Sequence, residues 1–205
     1  MLYDILFVCA GYLSGSVLFA EIFSRILGKN ENLHSSKDNN PGTANSFMQC
    51  GFLCGVLTLL GDVLKGFLPI FLYFLFGGNF RDFTLIKPLI FAAPVLGHVL
   101  PLFFSFKGGK GIAVTFGCLF GILPMWEPLA VFALSYIFLS VILRINPHRY
   151  RTIIAYILSA VLMIVMRYNS IVVCGFVIAA VIVILKHILS KELSSKFKVN
   201  FLWIH

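Results

Sequence analysis

The residues of this sequence that could do chemistry gather in a few short polar stretches. In Leu96 to Gly111, LGHVLPLFFSFKGGKG, Lys107 and Lys110 flank Gly108 and Gly109, and Gly111 follows. Glycines let backbone amides approach a ligand without Cβ obstruction while two ammonium groups neutralise it, so the loop suits a phosphate. The apolar run from Ile112 onward predicts a helix, whose first amides also favour an anion. The stretch is not a P-loop, because GxxxxGK[ST] is missing and no strand precedes it. The same composition suits a basic interfacial loop that attracts lipid head groups. His98, nine residues before Lys107, fits either a catalytic role or that of a hydrogen-bonded core histidine.

Three further groups stand out. The segment Lys37 to Asn45, KDNNPGTAN, has no apolar residue larger than Ala, a composition that orders itself through turns and also offers polar groups to a ligand. Asp62 and Lys65, in LLGDVLKGF, are three apart and share one helix face, as a structural ion pair or as substrate ligands. Glu21 is expected to snorkel to the membrane interface. Gly11, Ser14, Gly15 and Ser16 form a small-residue stripe, whose default use is close helix packing.

The elements that must position these residues are membrane spans. Of 205 residues, 60% are hydrophobic, 12% are charged and 22 are Phe. No soluble core has room for that much apolar surface. Seven stretches qualify as spans: Leu2 to Leu27, Phe52 to Phe76, Ile86 to Phe104, Ile112 to Pro124, Pro128 to Leu143, Ile153 to Met166 and Ile171 to Leu185, of which the fourth, sixth and seventh are short. With seven crossings, 12 of the 16 Lys and Arg residues fall on one face, 3 on the other, and Lys65 lies within a span. Positive residues collect in the cytoplasm, which places the N-terminus outside and the C-terminus inside. Five crossings, with the fourth segment and a neighbour only dipping into the membrane, keep that orientation.

The net charge of +8 then reflects topology rather than nucleic-acid binding. The five cysteines are odd in number and form no CxxC, so neither a disulfide framework nor a zinc site is expected. The first segment lacks the basic start and cleavage site of a signal peptide. No repeat or linker is evident. The expectation is an all-α integral membrane protein, about seven transmembrane helices in a single bundle spanning 1–205, with 186–205 a basic cytoplasmic tail.

GHVLPLFFSFKGGKGIA strongly resembles the second motif of the acyl-phosphate-dependent glycerol-3-phosphate acyltransferases, the PlsY family of bacterial inner-membrane enzymes. In that motif, Gly-His-x-x-Pro-x-Phe leads into Phe-Lys-Gly-Gly-Lys-Gly. Gly15-Ser16, Asn40-Pro41-Gly42 with Asn45, and Gly61-Asp62 with Lys65-Gly66 fall where the family has similar residues. The resemblance implies a seven-helix bundle moving a fatty acyl group from acyl phosphate to the sn-1 hydroxyl of glycerol 3-phosphate. The products are lysophosphatidic acid and phosphate, and neither coenzyme A, acyl carrier protein nor a metal takes part. It implies catalytic roles for His98, Lys110, Asn45 and His187. Substrate binding falls to Lys107, Gly108, Gly109, Gly111, Asp38, Asn40, Gly42, Ser16 and Ser190. The partners implied are acyl phosphate, glycerol 3-phosphate and membrane lipid.

The sequence also departs from the family pattern. Asp38 stands where the family has Ser and Met48 where it has Arg, so an anion replaces a hydroxyl and a cation disappears. The third motif, Arg-His-Arg-Glu-Asn, corresponds here to Lys186-His187-Ile188-Leu189-Ser190, which keeps the His and replaces the Asn by Ser190. Two other readings accommodate these changes: a divergent relative acylating a different, less charged acceptor, or a non-catalytic lipid-binding homologue. A small transporter is a third, weakened by the lack of internal repeats.

Overall fold

The computed structural model of the chain describes residues 1–35, 40–190, 197–199 and 201. The first apolar stretch forms two helices, α1 (Leu2–Gly15) and α2 (Phe19–Ile26). The break has a local cause: the Tyr12 carbonyl accepts both the Ser16 amide at 2.9 Å and the Ser16 hydroxyl at 2.8 Å. Such back-bonding by serine bends a helix, and it leaves the Val17 carbonyl available to another element.

The polar stretch that follows is more ordered than its composition predicts. Two short helices, α3 (Asn30–His34) and α4 (Thr43–Cys50), lie on either side of 36–39, and Gly42 precedes the first turn of α4. Tertiary burial explains α4. Asn45, Ser46 and Cys50 lie on its buried side, and the helix packs along α5 (Phe52–Leu75).

Beyond α5 come α6 (Lys87–Val99), α7 (Ile112–Gly121), α8 (Glu127–Ile137) with a π-helical extension over Phe138–Ile142, α9 (His148–Val165) and α10 (Ser170–Leu189). Among the described residues, five helical segments are long and apolar enough to cross a membrane, and two shorter apolar helices, Ile112–Gly121 and Glu127–Ile142, make up the seven that the sequence predicts. The fold is an all-α integral membrane bundle.

The lengths differ from expectation in one respect. α9 and α10 are full spans, because α9 takes in the basic turn His148, Arg149, Tyr150 and Arg151 ahead of Ile153, and α10 runs on to Leu189. Long cationic side chains at a helix end can reach the interface, so charge does not terminate the helix there. α7 is truly short: its 10 residues rise about 15 Å, half of a hydrocarbon core of about 30 Å.

α1 packs on α6, α6 on α10, α5 on α7, and α9 on both α8 and α10. The small-residue stripe is used for packing. A Cβ on Gly15 would run into the Pro94 carbonyl of α6, and one on Gly97 of α6 into the Tyr12 carbonyl, so only glycine permits this approach of α6 to α1. The central core is aromatic: Phe132, Tyr156 and Phe176 are fully buried, with ring centroids 4.8 to 5.6 Å apart. A two-residue antiparallel pairing of β1 (Ile145–Asn146) with β2 (Lys198–Val199) ties the last described residues to the start of α9.

Candidate active site

Asp62 and Lys65 form the expected ion pair, with Nζ 2.8 Å from Oδ1, but a third residue joins them. The Lys65 ammonium also lies 2.7 Å from His98 Nδ1 and donates to the Val17 carbonyl at 2.6 Å. Its three N–H bonds are thus directed at a carboxylate, an imidazole and the carbonyl released by the break between α1 and α2. Asp62, Lys65 and His98 are each at most 3% exposed, and Thr43 of α4 donates to Asp62 Oδ2 at 3.2 Å. An ammonium only donates, so His98 Nδ1 accepts and the neutral ring carries its proton on Nε2.

The glycine pair supports that ring. A Cβ on Gly109 would run into His98 Nε2, and the Gly109 amide donates to the His98 carbonyl at 3.1 Å. Gly108 lies against the same carbonyl and Pro101. The Gly109 amide is therefore engaged within the protein, and its glycine is needed for contact with His98. Gly111 is different. Its φ of +83° is left-handed, where a side chain is strained, and it turns the chain into α7.

A cavity of about 560 Å³ opens at this point. Asp62, His98, Lys110, Asn40, Asn45 and His148 supply its polar lining, and Gly42, Thr43 and Gly111 line it as well. Phe47, Met48, Leu59, Ile112, Ala113 and Phe116 form an apolar wall. The first turn of α7 thus reaches the cavity beside Lys110, at the helix end where amides attract an anion. Lys186, in the last turn of α10, acts electrostatically on both Lys110 and His98. Among the described residues, Asp62 is the one carboxylate on the cavity wall, and it is already paired with Lys65. The site holds an excess of positive charge beside an apolar wall, an arrangement suited to an anion with a hydrocarbon tail.

The remaining candidates are distributed as follows. Asn45 is buried, its Nδ2 donates to the Leu33 carbonyl at 2.9 Å, and its Oδ1 has no hydrogen-bond partner among the described residues. The Asn40 Oδ1 is in the same state. His187 is fully buried behind the cavity, edge-to-face with His148 at 5.9 Å. Ser16 is buried at the α1–α2 break and off the cavity, and the Ser190 hydroxyl donates to the His187 carbonyl at 2.9 Å at the end of α10. Lys107 is exposed and is not among the cavity-lining residues. Asp38 lies outside the described residues. Glu21 does not snorkel: it is 5% exposed, with Arg25 at 3.6 Å and His34 at 3.3 Å. Burial, and after it the neighbouring Cys54, pushes the Cys50 thiol up to about 11, which keeps it protonated.

Sequence reasoning missed His148 and the joining of His98 to the Asp62–Lys65 pair. A signal for His148 was present, since Pro147 followed by three basic residues in four marks a helix start at a membrane interface. No local signal announces the His98 contact, which spans 33 residues of chain.

A family model described as "Glycerol-3-phosphate acyltransferase" matches residues 5–192. A protein of that name from Endomicrobium trichonymphae is 35% identical over 67% of this chain and 68% of its own length. Another of that name, from Chromobacterium violaceum, is 35% identical over 88% of this chain and 86% of its own. Among solved structures, the glycerol 3-phosphate form of PlsY (YgiH), an integral membrane glycerol 3-phosphate acyltransferase, superposes with a TM-score of 0.73 at 28% identity, covering 90% of this chain and 88% of that one. Its lysophosphatidic acid form superposes with a TM-score of 0.71.

Proposed function

This chain belongs to the glycerol-3-phosphate acyltransferase family, and from that footing we propose that it moves a fatty acyl group from acyl phosphate to glycerol 3-phosphate. The observation that carries the reading is the cavity, where Lys110 and the first turn of α7 meet beside an apolar wall, with Lys186 in electrostatic reach of Lys110. The acyl tail lies along Phe47, Met48, Leu59 and Phe116, and its phosphate is held at Lys110. The sn-1 hydroxyl oxygen attacks the acyl carbonyl carbon, and the developing oxyanion is stabilised by Lys110 and the His98 Nε2–H, whose tautomer Lys65 sets. The bond between the carbonyl carbon and the bridging oxygen then breaks. Phosphate leaves with that oxygen, and overall it takes up the hydroxyl proton, giving lysophosphatidic acid and phosphate.

No enzyme nucleophile is required, since acyl phosphate is already activated. Asn40 and Asn45 offer side-chain oxygens suited to accept from the glycerol hydroxyls. Gly42 and Gly111 leave room for the ligand, while Gly108, Gly109, Ser16, His187 and Ser190 act by holding the surrounding structure. The protein is a multi-pass bacterial membrane enzyme. Its N-terminus lies outside and its C-terminus, with the basic tail from 186 onward, in the cytoplasm. The distribution of Lys and Arg supports that orientation.

The deciding experiment supplies purified protein with labelled acyl phosphate, with and without glycerol 3-phosphate, and identifies every acylated product. Lysophosphatidic acid formed only when glycerol 3-phosphate is present is the expected result. Acyl phosphate left intact, or acylation of some other acceptor in preference, rejects the assignment.

A further inference from the structure

The proposed reaction needs Asn45 to turn an oxygen toward the glycerol hydroxyls, and an amide side chain can rotate to offer either its oxygen or its N–H groups. A contact outside the cavity settles which. A backbone carbonyl only accepts, so the group facing the Leu33 carbonyl at 2.9 Å is Asn45 Nδ2. Oδ1 is left for the cavity, which Asn45 lines. How firmly that oxygen is aimed therefore depends on how firmly Leu33 is held.

Leu33 belongs to α3, whose five residues are too few to form a stable helix alone. Its neighbours must fix it. The Leu33 side chain is buried against Ala20, Cys50 and Cys54, and both ends of α3 are tied to α2. At the start, the Ser24 hydroxyl donates to Asn30 Oδ1 at 3.3 Å. At the end, next to Leu33, His34 Nε2 lies 3.3 Å from Glu21 Oε1, and Arg25 lies 3.6 Å from Glu21 Oε2. Glu21 is buried, and burying a carboxylate costs free energy. A leucine would fill the space without that cost, so what the carboxylate adds is its hold on His34 and Arg25.

We propose that Glu21, through His34 and the Leu33 carbonyl, positions Asn45 for the glycerol 3-phosphate half of the reaction. The role deepens the acyl-transfer reading and rests on it. Neither Glu21 nor His34 lines the cavity, so both are positioning residues, and Asn45 is the group that meets substrate. When the Glu21–His34 contact is lost, the Leu33 carbonyl shifts and the amide of Asn45 rotates with it. An N–H then faces the glycerol hydroxyl, donor against donor.

The test compares the unaltered protein with Glu21→Leu, His34→Ala, Asn45→Ala and the Glu21→Leu/Asn45→Ala pair in detergent. Unfolding temperature, the KM of each substrate and equilibrium binding of labelled glycerol 3-phosphate are read together. Glu21→Leu should keep the unfolding temperature within about 3 °C, because the Arg25 and His34 side chains, 64% and 46% exposed, remain hydrated without their partner. It should nevertheless raise the KM for glycerol 3-phosphate about 5- to 10-fold, the loss expected for one hydrogen bond, and weaken its binding by a similar factor. The KM for acyl phosphate should stay within about twofold. His34→Ala should act in the same way. Asn45→Ala should lose at least as much as either, and adding Glu21→Leu to it should change the KM by less than about twofold.

A parental KM for glycerol 3-phosphate in folded Glu21→Leu or His34→Ala overturns the positioning role and leaves acyl transfer standing. Equal rises for both substrates, a parental KM in Asn45→Ala, or an undiminished effect of Glu21→Leu on top of Asn45→Ala overturn it equally. Should Glu21→Leu fail to fold, His34→Ala decides alone. Absence of both acyl transfer and glycerol 3-phosphate binding in the unaltered protein overturns the acyl-transfer reading and this role with it.

Discussion

His98 takes its orientation from a residue whose own charge is balanced by a third. Lys65 donates to His98 and to Asp62 at once, so removing it leaves a buried carboxylate without its cation and an imidazole without its donor. Lys65→Met is expected to destabilise the protein by about 3 to 5 kcal/mol, read as a lower unfolding temperature in detergent. Adding Asp62→Leu removes the stranded charge and should restore much of that stability. Acyl transfer should stay depressed by about 100-fold, since His98 still lacks the donor that fixes its tautomer. Full activity in the double variant would reduce the ion pair to a packing device. At Gly109 the expected result is similar in size but has another cause. Gly109→Ala drives a methyl group into His98 Nε2, so transfer should fall by about 100-fold or more. A His98→Ala/Gly109→Ala pair should be no worse than His98→Ala, because both changes act on one ring. Independent losses would mean that Gly109 touches substrate itself.

At the scale of the elements, the site depends on two interruptions in otherwise regular helices. The break between α1 and α2 frees the Val17 carbonyl for Lys65, and the shortness of α7 lets its first turn meet a cavity within the bundle. The Val17 carbonyl is held within reach of Lys65 by the close packing of α1 on α6, which Gly97 permits. Gly97→Val is expected to force the helices apart and cost about 3 kcal/mol, the upper end for overpacking. It should lower folded yield and unfolding temperature and, by moving Val17 away from Lys65, reduce transfer beyond the loss of folded protein. Parental thermal stability in this variant would show that α1 adapts by sliding, and the break would then not be fixed by this contact.

Across the whole molecule, polar groups separate to two ends. Lys110, His148 and Lys186 converge at one, whereas Asn169 donates to the Phe80 carbonyl at 2.8 Å at the other, beside Asn79. Single cysteines in a cysteine-free background, probed with a membrane-impermeant reagent, should place positions near Lys107 and Arg149 in the cytoplasm and those near Asn79 and Asn169 outside. Labelling of the Lys107 position from outside would separate the cavity from a cytoplasmic acyl donor and defeat the proposed function.

Composition and periodicity alone determined the class of this protein, because burying 60% hydrophobic residues in 205 requires lipid. The seven apolar segments were legible for the same reason, as was the ion pair, whose partners are one helical turn apart. The Lys110 loop was legible too, because glycine and lysine at that spacing carry their chemistry locally. What the glycines do was decided elsewhere: Gly109 is shaped by a histidine eleven residues earlier, which the chain returns to meet. The helices α3 and α4 were hidden because polar residues become helical there only through packing against α2 and α5. The joining of His98 to Lys65, and of His148 to the same cavity, depends on how α5, α6, α7 and α9 come together. Those contacts span tens of residues, and no local spacing encodes them.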